Sequence, residues 1–403
     1  MGRAGAPLAM ILLLPALAYY LWIGLHVGGG ALVTPSPALL AHIPPPSLAV
    51  GGLYLAWLAF QLALYGTLPG GMVAGVRLAD GTRLSYRLNG WSAFWVTLGV
   101  AGVAAAMGWL PATTAHDQFG PLLTTANIAA FLLGLLLLAL GRRTRDARTS
   151  GSVLRDFVAG VALNPRLGWL DVKFFCESRP GLLLWLLFDV SFAASQWHRH
   201  QRVTLPMLLV LAFQLLYVAD YFFHERAILS TWDIRHERFG WALAWGDLVW
   251  VPFVYSLQAH YLVDHAHELA APTATAIVAL DVVGYVIFRG ANLQKHRFRE
   301  NPAALIGGRP AEFIRTARGE LLLTSGWWRR ARHANYLGDL LMAIAWSLPT
   351  GFRHALPWVY PIFLAALLVH RERRDHAACL AKYGTDWVAY CEKVPWRIVP
   401  GVY

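Results

Sequence analysis

Apolar runs near the roughly 20 residues that a helix needs to cross a bilayer recur along almost the whole chain, and they leave little room for a water-soluble fold. They fall at about residues 8 to 27, 47 to 66, 91 to 110, 121 to 141, 181 to 195, 203 to 223, 240 to 262, 271 to 290, 337 to 350 and 356 to 370. Some are shorter than a full span, but together they predict an all-α, polytopic membrane protein with about ten transmembrane helices. Composition agrees: of 403 residues, 57% are hydrophobic and only 14% are charged. The first run, Leu8 to Val27, lacks the small-residue cleavage pattern of a signal peptide and is expected to be the first span, with no removable leader.

A net charge of +11 raises the question of nucleic acid, yet the 34 Lys and Arg lie in short clusters between apolar runs. That distribution describes membrane topology and not a nucleic-acid surface. With Arg3 placed in the cytoplasm, the inside loops carry Arg77, Arg83 and Arg87, then Arg142, Arg143, Arg145 and Arg148 onward to Arg179, then Arg226, Arg235 and Arg238. Lys295 to Arg332 and a basic tail continue the series, whereas the opposite side holds only Arg199, Arg202 and Arg353. The positive-inside rule therefore predicts that both termini are cytoplasmic, in a membrane of the bacterial inner or endoplasmic reticulum type. Cys176, Cys379 and Cys391 fall on that same reducing side with no CxxC pair, which argues against a disulfide framework or a thiolate metal site.

Charge inside the apolar runs is rarer and more informative. Asp247 lies within the Trp241 to Tyr261 run, and an ionisable group at that depth is costly unless it is partnered or used. Tyr255 and Gln258 follow two and three turns later and are expected on its helical face. A polar contact between helices is the alternative. His224, His236 and Glu237 lack metal-site spacing and sit in a polar linker, so no metal is expected. The loop from Gly151 to Pro180 holds Asp171, Lys173, Glu177 and Arg179 among turn-forming Pro and Gly; it reads equally as a surface loop fixed by ion pairs or as a lid.

The last third concentrates polar groups. Leu321 to Asp339 contains Trp327 and Trp328, Arg329 and Arg330, then Arg332-His-Ala-Asn-Tyr336. Lys295 and Arg299 are four apart on one helical face and suit either a ligand's phosphate or lipid headgroups. Downstream, Asp375 leads into Cys379-Leu-Ala-Lys-Tyr383 and Trp387-Val-Ala-Tyr390, an interleaved aromatic and charged segment that reads as an interfacial helix or a ring-stacking wall. No GxGxxG follows a predicted strand, so a nucleotide bound here would use another route.

Several ordered motifs resemble the sterol reductase family, which includes the delta(14) and delta(7) sterol reductases and the membrane half of the lamin B receptor. They are Thr231-Trp-Asp-Ile-Arg-His236, Gly240-Trp-Ala-Leu-Ala-Trp-Gly-Asp247, Phe288-Arg-Gly-Ala-Asn-Leu-Gln-Lys295, Leu322-Leu-Thr-Ser-Gly-Trp-Trp328, Arg332-His-Ala-Asn-Tyr-Leu-Gly-Asp339 and Pro395-Trp-Arg-Ile-Val-Pro400. The resemblance covers the chain from Asn164 onward and, more weakly, Asp80 to Asn89. One departure is Arg329-Arg330 where the family has Gly after the paired Trp, which removes backbone freedom.

The resemblance implies a single integral-membrane domain, 1 to 403, with N-terminal helices 1 to 223 and a catalytic, NADPH-binding half 224 to 403. It implies a membrane-dissolved sterol as substrate and NADPH taken from the cytoplasmic side. Carried onto matching positions, the cofactor contacts are Lys295, Arg299, Leu323, Trp328, Asn335, Tyr336, Asp375, Cys379, Tyr383 and Tyr390, with Arg332 and His333 beside them. An unactivated alkene must be protonated before hydride arrives, so an acid in a dry pocket is required; Tyr255 is the candidate donor and Asp247 its polariser, with Trp241 or Trp245 facing the cation. Asp171 to Gly181, Val251 to Ala259 and Phe288 to Asn292 look more like the delta(14) branch, and Gly240-Trp241 and Ala244 to Asp247 somewhat like the delta(7) branch. The Arg332-His-x-Asn-Tyr pattern also resembles isoprenylcysteine carboxyl methyltransferases, although the Lys295/Arg299 pair suits a phosphate that their cofactor lacks.

Overall fold

The computed structural model describes residues 5–77, 81–144 and 147–403. Arg3, Asp80 and Arg145, which entered the charge count or the motif comparison, lie outside the described residues. The chain forms two compact units, Met1–His267 with His354–Leu356, and Glu268–Arg353 with Pro357–Tyr403. This boundary lies after the Asp247 run, whereas the division expected from sequence lay at residue 224.

Helices dominate, as expected. Among the described residues five are long and apolar enough to cross a membrane: Gly5–His26, Leu48–Thr67, Phe119–Gly141, Leu205–Phe223 and Ala271–Glu300. Gly90–Ala106 is a shorter apolar helix. Of the remaining runs, 181 to 195 forms Pro180–His200 with a polar last turn, 337 to 350 forms Ala334–Ser347, and 356 to 370 begins Val359–Tyr383. The 240 to 262 run is broken into Trp241–Trp245, a π-helical turn at Gly246–Trp250, Val251–Tyr255 and Leu257–Asp264. Pro252 supplies a reason: it donates no backbone hydrogen bond and crowds the carbonyl four residues back, and Val251 N–H reaches Gly246 O instead.

Within the first unit, two loops that read as charged connections are folded. Gly71–Arg77 pairs antiparallel with Arg83–Leu88, and Tyr86 turns inward against Phe174, their rings 5.2 Å apart. In the 151 to 180 loop, Arg166–Leu167 pairs with Leu170–Asp171. The Asp171 carboxylate then caps helix Val172–Ser178, accepting from Phe174 N–H at 2.9 Å. A buried polar hub anchors both regions: Arg179 Nη2 donates to Asn89 Oδ1 and to Glu225 Oε1, each at 2.8 Å, while Gly90 N–H donates to Glu225 Oε2 at 2.8 Å. Close approach is bought with glycine: a Cβ on Gly181 would collide with the Asp247 carbonyl, and one on Gly134 would lie 2.7 Å from Trp241 Cβ.

In the second unit, helices Ala271–Glu300 and Ala334–Ser347 cross at Gly284 and Gly338. A Cβ on Gly338 would meet the Phe288 backbone nitrogen and the Gly284 carbonyl, neither of which can rotate aside. Short hairpins, Leu305–Ile306 with Arg309–Pro310 and Phe313–Arg315 with Leu321–Leu323, separate the two helices in sequence. Val359–Tyr383 and Thr385–Lys393 follow.

Candidate functional site

The nucleotide candidates all belong to the second unit. Lys295, in the penultimate turn of Ala271–Glu300, holds its ammonium 3.8 Å from the centre of the Trp328 ring. Trp328 is fixed by its own indole, whose Nε1 donates to Ala291 O at 2.8 Å. Gly326, at φ 63°, makes the turn that delivers the paired tryptophans, and Trp327 N–H donates to Gln294 Oε1 at 2.9 Å. Leu323 lies beneath in a cluster with Ala291, Phe298, Ile306 and Trp328. Arg299 is exposed on the last turn, and Arg329 and Arg330 are exposed beyond Trp328.

A second group gathers around Asp375. His333 stacks on Tyr336 with centroids 4.7 Å apart, and its Nε2 lies 3.6 Å from Asp375 Oδ2. Burial, reinforced by the cations Lys295, Arg332 and Arg397, pushes the His333 imidazole down to about 3. The ring is therefore neutral at ordinary pH, so its contact with Asp375 is not an ion pair. Cys379 Sγ faces the same carboxylate oxygen at 3.9 Å, and burial aided by Asp375 pushes the thiol up to about 12. Lys295 pulls the thiol the other way, which ties the two groups into one electrostatic neighbourhood. Asn335 Oδ1 is buried with no hydrogen-bond partner. Tyr383 accepts from Lys382 Nζ at 3.0 Å, and Tyr390 is buried against Trp387 at 5.0 Å. Arg332 turns away, donating to Cys391 Sγ at 2.7 Å and Pro395 O at 3.3 Å and approaching His376 Nδ1 at 3.3 Å.

These residues fit a dinucleotide. Two cations one turn apart suit phosphate oxygens, stacked flat rings suit a heterocycle, and the orphaned Asn335 acceptor suits an amide or amino donor.

The four proton-transfer candidates all belong to the first unit. Trp241 and Trp245 are buried with centroids 6.2 Å apart; Trp245 Nε1 donates to Asn127 Oδ1 at 2.8 Å, while Trp241 Nε1 has no partner. Asp247 occupies the π-helical turn, and its Oδ2 is also buried without a hydrogen-bond partner. The Tyr255 ring packs edge-on to Trp185 at 5.4 Å. The simple face shared by Asp247, Tyr255 and Gln258 is interrupted by the π turn and by the break at Ser256, so ordinary helical spacing does not relate them.

Sequence reasoning missed several buried polar residues near these candidates. Gln214, fully buried, accepts from Trp185 Nε1 at 2.7 Å and donates to Tyr255 O at 3.1 Å. Lys173 is buried with its ammonium shared among the carbonyls of Leu163, Asp233 and Glu237. Burial pulls it below the usual lysine range against the opposing pull of Glu177, Asp233, Asp171 and Asp247. Only the density of charge between 171 and 179 hinted at this; the partners are distant in sequence.

A helical membrane protein with cations and stacked rings gathered on helix ends in one unit, and a buried carboxyl on a broken helix in the other, is the class that these features define. The chain belongs to the ergosterol biosynthesis ERG4/ERG24 family, whose model matches residues 32–403. It is 51% identical to the Delta(14)-sterol reductase of Methylotuvimicrobium alcaliphilum, over 98% of this chain and 94% of that one. The Delta(14)-sterol reductase of Dictyostelium discoideum is 41% identical, over 97% and 89% of the two chains. That of Mus musculus is 43% identical, over 99% and 97%.

Proposed function

We propose that this protein is a membrane reductase that saturates the C14=C15 double bond of a sterol, with NADPH as the reductant. The observation that carries the reading is that relatives 41–51% identical over nearly their whole lengths share the name Delta(14)-sterol reductase. The delta(7) and methyltransferase alternatives lack that support.

When bound, NADPH supplies a hydride. Lys295 and Arg299 would hold its phosphates, Trp328, His333 and Tyr336 would flank its rings, and Asn335 would accept a hydrogen bond through its orphaned Oδ1. The chain's remaining task is the proton, because a plain alkene accepts hydride only after protonation. Tyr255 would give its hydroxyl proton to C15, leaving a tertiary cation at C14. Asp247 would polarise that hydroxyl, and the Trp241 and Trp245 faces would stabilise the cation. Saturation would then be a net gain of two hydrogens, one as the proton from Tyr255, which would regain it from solvent, and one as the hydride that the bound cofactor supplies. Burial of Asp247 Oδ2 would keep water from capturing the cation there.

Purified protein is incubated with NADPH and a delta(14) sterol, and separately with a delta(7) sterol, and the products are identified by mass spectrometry. The expected result is reduction of the delta(14) sterol alone. Failure to reduce it, with protein shown to be folded, overturns the proposal.

A further inference from the structure

The segment Pro395 to Tyr403 folds back across two parts of the cofactor wall. On one side, Arg332 N–H and His333 N–H donate to the carbonyls of Trp396 and Arg397, each at 2.9 Å. On the other, Arg397 Nη1 donates to Glu372 Oε2 at 2.8 Å, and Tyr403 OH donates to the same oxygen at 3.2 Å. Glu372 is 1% exposed and stands one helical turn before Asp375 on Val359–Tyr383. The segment is itself closed: the N–H groups of Arg397, Ile398 and Val399 converge on the Tyr403 carbonyl at 2.9, 2.9 and 3.0 Å.

His333 and Asp375 lie on different elements, and their side chains meet only at 3.6 Å. A buried carboxylate that takes two donors on one oxygen is held in one orientation. Arg397 therefore grips the Asp375 helix with its side chain and the His333 backbone with its carbonyl. We propose that the Arg397–Glu372 pair, with Tyr403, is a positioning device that fixes the distance between the His333–Tyr336 wall and Asp375, and so sets cofactor affinity. The proposal rests on the NADPH reading above. Arg397 acts through the residues that it holds, so its loss changes binding before it changes chemistry.

The test uses the full chain with Arg397→Gln, Arg397→Lys and Tyr403→Phe. NADPH binding is titrated directly by tryptophan fluorescence, and KM and kcat are measured with a delta(14) sterol. Arg397→Gln is expected to raise both Kd and KM for NADPH roughly tenfold, with kcat at saturating NADPH within about twofold of wild type. Arg397→Lys restores most of the affinity, and Tyr403→Phe gives a smaller shift in the same direction. A purely structural role would lower the folded fraction and apparent kcat together and leave KM unchanged, which overturns the proposal. If Arg397→Gln does not fold, Tyr403→Phe decides, since it deletes one hydroxyl; wild-type affinity in that variant overturns the proposal. If the wild type itself binds no NADPH, the cofactor reading and this proposal fall together. If it binds and the variants bind equally well, only the positioning role falls.

Discussion

The polar groups proposed for catalysis and for cofactor binding are held differently in the two units. In the first unit, Asp247 and Trp241 keep buried polar atoms without partners, on a helix that is broken by a π turn. In the second, Arg397 and Tyr403 both donate to one oxygen of Glu372, while Asn335 Oδ1 on the neighbouring stretch stays buried without a partner. Unpartnered buried groups are costly and persist where they are used, whereas interlocked groups hold a surface in shape. If proton transfer belongs to the first unit and cofactor binding to the second, as proposed, substitutions in the two units should fail in different ways.

The largest effect is expected from Asp247→Asn and Tyr255→Phe. Each should lower kcat by roughly a hundredfold or more, within the range that general acid catalysis supplies, while NADPH binding stays at wild-type affinity. Equal loss of cofactor binding would erase the distinction between the units. Next comes Lys295→Met, which should weaken NADPH binding by roughly ten- to a hundredfold, the worth of one charge-assisted contact, and change kcat little at saturation. Unchanged titration curves would remove Lys295 from the wall.

Gly338→Ala should destabilise the second unit by about 2 kcal/mol, because the added methyl meets backbone that cannot move aside. A thermal unfolding midpoint equal to wild type would show that the two helices separate freely. The last effect appears only in acid. The folded His333 imidazole sits at about 3 against an ordinary 6.5, so the unfolded chain takes up a proton that the folded one refuses. Its contribution is complete above pH 6.5 and is lost as pH falls toward 3, with a slope of at most about 1.4 kcal/mol per pH unit. His333→Phe should flatten the acid limb of a stability–pH profile; an unchanged limb would mean that other groups dominate it.

Much of the candidate site was legible because its chemistry is local. Lys295 and Arg299 show their common face through spacing alone, and Trp328, Asn335 and Tyr336 fall in one short polar stretch between apolar runs. The span proposed for proton transfer shows its charge in the sequence, since Asp247 stands out against its apolar run, but not its shape. Helical spacing assumes an unbroken period, and the π turn before Pro252 shifts it. The hairpin at Gly71–Arg77 and Arg83–Leu88 was hidden for another reason: its arginines read as a topogenic loop, and inward packing of Tyr86 became apparent only once Phe174 was in place.

By itself the sequence determined that this chain lives in a membrane, because hydropathy over a bilayer's length is a one-dimensional property. It also determined the family, through ordered motifs from Thr231 to Pro400. Tertiary structure alone decided which polar groups are partnered. Glu372 meets Arg397 and Tyr403, Arg179 meets Asn89 and Glu225, and Lys173 meets three carbonyls. Such pairings depend on distances between segments far apart in the chain, and no local pattern encodes a contact that exists only after the helices have packed.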